Sequence, residues 1–573
     1  MIDKMTRYSF VLLSSGRERF LEELQELGLV DIKRAVRPVD EESAALLAAI
    51  EERRKLVSEI ENGRNARLDE LETEAESLEN EAFRMEVWGD WDRDKLAATG
   101  IPLHFYSVRS KDFEAAADSL DAYAVVVAGE NDGKTCFVVA GDNEGFPFKE
   151  MPAPGTDLAG ARALAAAKKA EAEELQKQLE ARKAELPELR RALKDDEDAL
   201  ARHLASASGE NAAEGSLVVF EGFAPSENDD SLGKAFDSMD LVWYRDKATV
   251  EDDPPIKFRN NRFVRMFEVL TDMYGRPSYN GFDPTPFIAV FFMLFFAFCM
   301  GDAGYGLILV AMGLGLRGKL GKLAPLVTTL GVATVAIGTL FHTFFSMDML
   351  EWGWVQGSGL DRIMLPSKIA GYDGTMVLAL VVGIVHLCLA MVVKTINATR
   401  NNGFLGSLGT WGWTLLIVGG VIVGVFALAG VIDEGLTKII IIVIGVLSAA
   451  GIFLFNDIHR NPLLNIGSGL WETYNTVTGL LGDVLSYLRL YALGLAGSML
   501  GKAFNDIGLM ILGDGSALKA WIPFILIVLI GHALNVAMCV LGAFVHPLRL
   551  NFLEFFKNSG YEASGRSYNP LKK

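Results

Sequence analysis

Arg489 places a guanidinium in the middle of a membrane-length apolar stretch, in the run Gly482-Asp483-Val484-Leu485-Ser486-Tyr487-Leu488-Arg489-Leu490-Tyr491-Ala492-Leu493-Gly494. Deprotonation cannot relieve its burial, because its pKa lies above ~12. A charge at a helix centre costs roughly 2.5–3.5 kcal/mol on insertion scales. Such a group persists where it faces protein or water, or where it acts on a moving charge. A second arginine, Arg549, follows in the last apolar stretch, in His546-Pro547-Leu548-Arg549-Leu550. Two arginines in successive long helices point to an ion path more than to a lipid anchor. Beside such a path a fixed cation favours the ionised form of a nearby carboxylate, which then releases its ion. It also repels a cation that would slip past.

Other polar groups share these helices. His546 precedes Arg549 by three residues and shares its helical face, and Pro547 can free a carbonyl there. Glu472, about five turns before Arg489, and Asp483, six residues before it, are candidates for lining a water-filled half-channel; the alternative is a solvated place near the interface. His532 and Asn535 stand one turn apart, as polar groups that face protein in membrane helices. The structural alternatives are an ion pair for Arg489 and snorkelling to the interface for Arg549. His342 and His386 are isolated and read as core histidines. Gly301-Asp302-Ala303-Gly304-Tyr305-Gly306 lacks the Lys-Ser/Thr of a phosphate loop and reads as a tight membrane hairpin. No Walker A sequence, nucleophile triad or dinucleotide fingerprint occurs, so no ATP site and no cofactor is expected.

Composition frames these residues. A mean hydropathy of +0.24 with 22 % charged residues fits a soluble half joined to a membrane half. The net charge of -19 argues against nucleic acid as a partner. The 4 cysteines form no CxxC, so neither a zinc site nor a disulfide framework is indicated. The amphipathic, charge-rich N-terminus does not read as a signal peptide.

The fold class expected is multidomain: cytoplasmic α/β lobes on an antiparallel coiled-coil arm, plus an all-α polytopic membrane domain of about eight transmembrane helices. Residues 1–280 form the arm. In it, 1–36 and 214–260 make a proximal α/β lobe, 40–90 and 157–208 a helical hairpin, and 100–150 a distal α/β lobe. Glu41 to Glu86 reads as one long helix and Leu158 to His203 as another, kinked or ended at Pro187. Residues 281–573 form the ion-channel domain, with apolar stretches near 286–300, 303–316, 324–346, 376–393, 410–431, 437–455, 476–500 and 521–545. Cations such as Arg317, Lys319, Lys394, Arg400 and Arg460 follow the even-numbered stretches, which places both termini in the cytoplasm.

Three stretches resemble subunit a (subunit I) of the V-type and archaeal-type rotary ATPases: Phe282-Asp283-Pro284-Thr285-Pro286-Phe287 with Gly301–Gly306, then Ser486–Leu493, then Leu548-Arg549-Leu550 with Glu554-Phe555-Phe556. Met273-Tyr274-Gly275-Arg276-Pro277 and the arm agree. The resemblance implies a non-catalytic stator. It would lie in the cell (inner) membrane against a rotor ring of c/K proteolipid subunits, with peripheral E/G-type and central d/C-type stalk subunits as partners. Two half-channels would carry H⁺ or Na⁺, with Arg489 between them and Arg549 as its companion. Gly497 and Cys539 stand where eukaryotic members carry a channel histidine and glutamate, which points to a prokaryotic branch. The alternative reading is a secondary transporter with a cytoplasmic regulatory domain. It calls for an internal repeat, and none is visible between the first and last four apolar stretches.

Overall fold

The computed structural model describes all residues except 1, 36, 89–99, 117–119, 121, 122, 132, 144, 145, 154–157, 354, 356–358, 360, 361, 370, 455–461, 514–517 and 573. Arg460, residue 455 of the sixth apolar stretch and the hairpin ends at 89–90 and 157 therefore lie outside the described residues. The chain divides into two units.

One unit holds the helical hairpin and a small sheet. Asp40 caps the first helix, α1 (Glu41–Asn62), by accepting from the Ser43 amide at 2.8 Å. Gly63, at φ 64°, ends α1, and Asn65 caps α2 (Ala66–Met85). The single helix expected over 41–86 is therefore two, because only a left-handed residue closes the first helix and an Asn restarts the second. The return helices are α3 (Leu158–Ala181) and α4 (Leu186–Ala207), joined by a tight turn at Arg182–Glu185 with Pro187 opening α4.

The pairing is antiparallel. Arg54 meets Glu197, Glu61 meets Arg190, Glu74 meets Lys168 and Glu86 meets Arg162, so one number rises as the other falls. These exposed pairs set register more than stability. The burial lies at Ile50 and Val57, at Leu68, Ala75 and Ala82, and at Ala165, Ala172 and Leu179, each set spaced by sevens. The small sheet has Lys134–Ala140 between Leu103–Arg109 and Ala124–Asn131. Tyr106, Phe137 and Val139 form its core.

The other unit joins an antiparallel sheet to the apolar helices. Its strands are β1 (Met5–Leu13), β2 (Asp31–Ile32), β3 (Glu210–Ala212), β4 (Leu217–Pro225) and β5 (Val242–Lys247), in the order β2-β4-β1-β5 with β3 beside β4. Tyr8, Phe10 and Leu12 alternate inward along β1. The ring of Phe236 stands edge-on to Phe10 at 5.0 Å and to Tyr8 at 5.4 Å. Tyr8 donates to Asp229 at 2.6 Å, and burial followed by that bond raises its pKa.

Eight apolar helices follow: α5 (Thr285–Met300), α6 (Ala303–Gly315), α7 (Ala324–Leu340), α8 (Gly374–Gly406), α9 (Leu408–Leu428), α10 (Glu434–Phe453), α11 (Pro462–Leu512) and α12 (Leu518–Arg549). Of these, 5 are long and apolar enough to cross a membrane, α8 to α12. The first three have 16, 13 and 17 residues, short of the ~20 that a straight span needs. Gly301 in the left-handed region and the Asp302 cap end α5 and start α6, which is why both are short. By contrast, α11 runs 51 residues, far beyond the expected 476–500. No proline or left-handed glycine interrupts it, and at 1.5 Å per residue it is about 75 Å long.

Candidate functional site

Arg489 sits near the midpoint of α11, and the residues around it fix where it points. Tyr487, two positions earlier, is fully buried. Its hydroxyl is 2.9 Å from Nδ1 of the equally buried His386 on α8, and its ring lies 5.7 Å from that of Phe295 on α5. A Cβ on Gly383 would stand 2.4 Å from the Tyr487 ring, so α8 can approach only with glycine there. His386 is held in turn by Phe555, stacked at 4.7 Å and 6°, and by Phe291 at 4.1 Å. These contacts lock the rotation of α11 and hence the direction of Arg489. The isolated core histidine is a clamp on the arginine helix.

Arg489 is only half-buried, but its Nη1 is buried without a hydrogen-bond partner. Among the described residues no carboxylate stands within ion-pair distance of it. The row Val477-Leu481-Leu485 on α11 is exposed and continues, four residues on, to Arg489. On α12 the exposed row Leu534-Met538-Leu541-Val545 continues likewise to Arg549. Each arginine lies on an outward-facing apolar row, in a pair of helices packed against each other.

Arg549 differs in its partner. Its side chain is half-exposed, and Nε lies 4.0 Å from Oε1 of the buried Glu554. Residue i+5 on an α-helix is turned about 140° away at 100° per residue. Here Leu550–Phe555 forms a π-turn, whose i→i+5 bonding brings such residues nearly into line. The other oxygen, Oε2, is buried without a hydrogen-bond partner. His546 is half-buried with an unpartnered Nδ1, and both arginine charges act on its ring. The structure thus brings Arg489, His546 and Arg549 together and adds Glu554, which the sequence displayed only as part of a motif.

Glu472 is not brought to this group. Seventeen residues of unbroken helix separate it from Arg489, about 26 Å along the axis. Asp483 is also turned to another partner set, accepting from Asn558 at 2.8 Å and pairing with Lys557 at 3.3 Å.

His532 and Asn535 belong to a second polar cluster, farther along α11 and α12. The Tyr305 hydroxyl bonds His532 Nδ1 and Asn535 Nδ2, each at 2.8 Å. Asn535 also donates to the Gly497 carbonyl at 2.8 Å, and His532 Nε2 meets Asn505 at 2.9 Å. Gly497 itself faces Cys539, whose sulfur would lie 2.6 Å from a Cβ there. Nearby, the buried Asp302 accepts four amides, from Gly304 (2.8 Å), Tyr305 (3.1 Å), Phe345 (2.9 Å) and Ser346 (2.6 Å). Phe345 and Ser346 hold φ of 47° and 60°, strained for their side chains, so Asp302 pins a costly loop. The hairpin motif reads as a turn in sequence, and its carboxylate turns out to tie the start of α6 to the loop at Phe345 and Ser346.

A cavity of about 170 Å³ opens on the turns after Arg489. Leu490, Tyr491, Gly494 and Ser498 of α11 line one side, and His342, Ser367 and Asp373 contribute polar groups. His342 is satisfied by Asp348 at 2.9 Å, as expected of it, but it is half-buried and lines this cavity where a core position was expected. The arrangement combines an unpaired cation on an exposed apolar surface with a largely apolar cavity, carrying a few polar groups, one turn away. That combination can attract a carboxylate from another chain and give it access to water.

The chain matches the V-type ATPase 116 kDa subunit family over residues 164–325 and 470–573. It is 30 % identical over 361 residues to the A-type ATP synthase subunit I of Methanocaldococcus jannaschii, covering 57 % of this chain and 51 % of that one. It is 33 % identical over 336 residues to the A-type ATP synthase subunit I of Pyrococcus horikoshii, covering 56 % and 48 %. It is 30 % identical over 344 residues to the V-type ATP synthase subunit I 1 of Treponema pallidum, covering 56 % and 53 %. The matched region is about half the length of each of these relatives.

Proposed function

We propose, from the likeness to subunit I of the V/A-type ATPases, that this chain is the membrane stator of a rotary ATPase, coupling ATP hydrolysis or synthesis to H⁺ or Na⁺ movement. The observation that carries the reading is the unpartnered guanidinium on an exposed apolar row. A buried cation costs several kcal/mol unless a counter-charge meets it. No such charge comes from the described residues, and a rotor ring of c/K proteolipids, each with a carboxylate, supplies one transiently.

In this reading a rotor carboxylate arrives neutral, carrying its ion. Arg489 favours the ionised form, the ion leaves to water, and the ionised carboxylate passes the arginine as an ion pair. The cavity beside Tyr491 and Ser498 ends one half-channel. His546, Arg549 and Glu554 shape the field at the other, with Asp483 and Glu472 nearer its mouth, while His532 and Asn535 are supporting polar groups on the cavity's side of Arg489. The hairpin of α1 to α4 serves as a coiled-coil arm that holds peripheral E/G-type stalk subunits, and a d/C-type central subunit meets the ring. Both termini lie in the cytoplasm.

The test is ATP-driven ion uptake by vesicles holding the whole complex, with H⁺ and Na⁺ read separately. Arg489→Ala should abolish uptake with assembly intact. Arg489→Lys should also fail, since a buried lysine can neutralise itself. Normal pumping by either variant refutes the mechanism.

A further inference from the structure

The segment after α12 does more than trail from the last helix. Gly560, at φ 66°, turns the chain, and Tyr561 stacks on Phe556 at 4.1 Å and donates to the Gly275 carbonyl at 2.6 Å. The next residues run alongside the segments that link the sheet to α5. Ser278 N–H donates to the Glu562 carbonyl at 3.0 Å, Gly565 N–H to that of Arg276 at 3.0 Å, and Ile256 N–H to that of Arg566 at 2.7 Å. The fit is close: a Cβ on Gly565 would lie 2.0 Å from the Pro277 carbonyl oxygen.

The segment then reaches the sheet. Asp31 on β2 is 2 % exposed, and its Oδ2 accepts from Arg566 Nη1 at 3.2 Å and from the Asn569 amide at 3.1 Å. Arg566 also donates from Nε to the Asp253 carbonyl at 2.9 Å and lies over the Phe223 ring at 5.3 Å. The Tyr568 hydroxyl donates to the Leu29 carbonyl. A buried carboxylate thus receives a guanidinium and an amide from a segment that begins eleven residues after Arg549.

We propose that Tyr561–Asn569 is a strap anchoring the Arg549 end of α12 to β2, and that Asp31 is a positioning residue which acts through it to hold Arg549 in place as the rotor passes. The inference rests on the stator reading. Arg549 acts by its place in the field that a passing rotor carboxylate meets, so a shift of the end of α12 alters that field. Arg549 is half-exposed while Leu550, Asn551 and Phe555 after it are buried, and the strap ties the end of that buried turn to a hydrogen-bonded sheet. When the strap detaches, ions slip past Arg549 without turning the rotor.

The experiment uses the whole complex in vesicles and reads ions taken up per ATP hydrolysed, normalised to assembled complex. Asp31→Asn keeps the shape and removes the charge, and Arg566→Ala removes the partner. Either should keep hydrolysis near wild type and lower the ratio about threefold, because a buried charged hydrogen bond is lost. Arg566→Lys should recover part of the loss. In an Arg549→Ala background, Asp31→Asn should change the ratio little, since both act through one group. A wild-type ratio in assembled Asp31→Asn, or an additive loss on Arg549→Ala, overturns the inference. Should Asp31→Asn fail to assemble, Tyr568→Phe deletes one hydroxyl of the same strap, and an unchanged ratio there overturns it equally. Arg489→Ala run alongside separates the two failures. If that variant pumps, the stator reading falls; if it is dead and Asp31→Asn is normal, only the strap falls.

Discussion

Gly383→Ala is the sharpest test of how α11 is held. Two effects compete. Alanine favours a helix over glycine by about 1 kcal/mol, so on propensity alone the variant gains. Against this, the new methyl would stand 2.4 Å from Cγ, 2.7 Å from Cδ2 and 2.8 Å from Cβ of Tyr487. Ordinary contact begins near 3.4 Å, so something must yield by roughly 1 Å. The atoms met are the root of the side chain, which cannot swing aside without moving α11. Overpacking of this kind costs about 1–3 kcal/mol, so the clash outweighs the propensity. The relief available is a shift or rotation of α11, two residues from Arg489. A misplacement of ~1 Å in a working group can cost about 100-fold in rate. Gly383→Ala should therefore cut ATP-driven ion uptake at least tenfold while the complex still assembles. Adding Tyr487→Ala removes the obstructing Cγ and Cδ2 and should restore part of the assembly stability but not the uptake, since the His386 tie is also gone. Full uptake by an assembled Gly383→Ala complex would falsify the claim that this contact orients Arg489.

Two further outcomes follow from other contacts. Asp302→Asn leaves one carbonyl oxygen for the four amides that two carboxylate oxygens now satisfy, and it turns an NH₂ toward donors. It should destabilise the membrane half by about 2–4 kcal/mol, read as a lower melting temperature of the purified complex; a shift of under 1 °C contradicts the assignment. In the hairpin, bonds from the Ser43 side chain and amide, then from His203, hold the Asp40 carboxyl at about 2. A depressed carboxyl adds stability that is present above its unfolded value near ~4 and is lost as pH falls toward 2. Hydrogen-exchange protection factors at the Ser43 and Ala44 amides, corrected for intrinsic rate, should accordingly fall between about pH 4 and pH 2; protection that persists at pH 2 rejects the cap's role.

What the sequence made legible was whatever a period or a cost marks. The alternation of Tyr8, Phe10 and Leu12 displays β1, and the price of a guanidinium among Leu and Tyr singles out Arg489. The seam of α1 and α2 is also periodic, but the break at Gly63–Asn65 rests on one left-handed residue that the charge-rich run conceals. Contacts between distant segments had no local signature. His386 looks inert until Tyr487, 101 positions away, is seen against it. Asp302 reads as a turn residue because its acceptors' partners, Phe345 and Ser346, lie 43 and 44 positions on. Glu472 and Asp483 were candidates on spacing alone. An uninterrupted α11 separates the first from Arg489, and Lys557 with Asn558 occupy the second.

In the proposed stator the two arginines would divide one task because their surroundings differ. Arg549 has a carboxylate of its own chain at 4.0 Å, delivered by the π-turn that re-aims Glu554. A cation so paired cannot compete strongly for a rotor carboxylate, and its half-exposed position weakens its field further. Arg489 has no such partner among the described residues, and one of its nitrogens is already desolvated. The energy of that desolvation is what an incoming carboxylate recovers, so the pull falls mainly at Arg489. Arg549 and Glu554 then act as a screen whose strength depends on the protonation of Glu554. Glu554→Gln, by freeing Arg549, should create a second strong trap for the rotor carboxylate. Rotation should slow, and both ATP hydrolysis and uptake should drop together with their ratio kept. A fall in the ratio alone would show instead that Glu554 seals the path against leak.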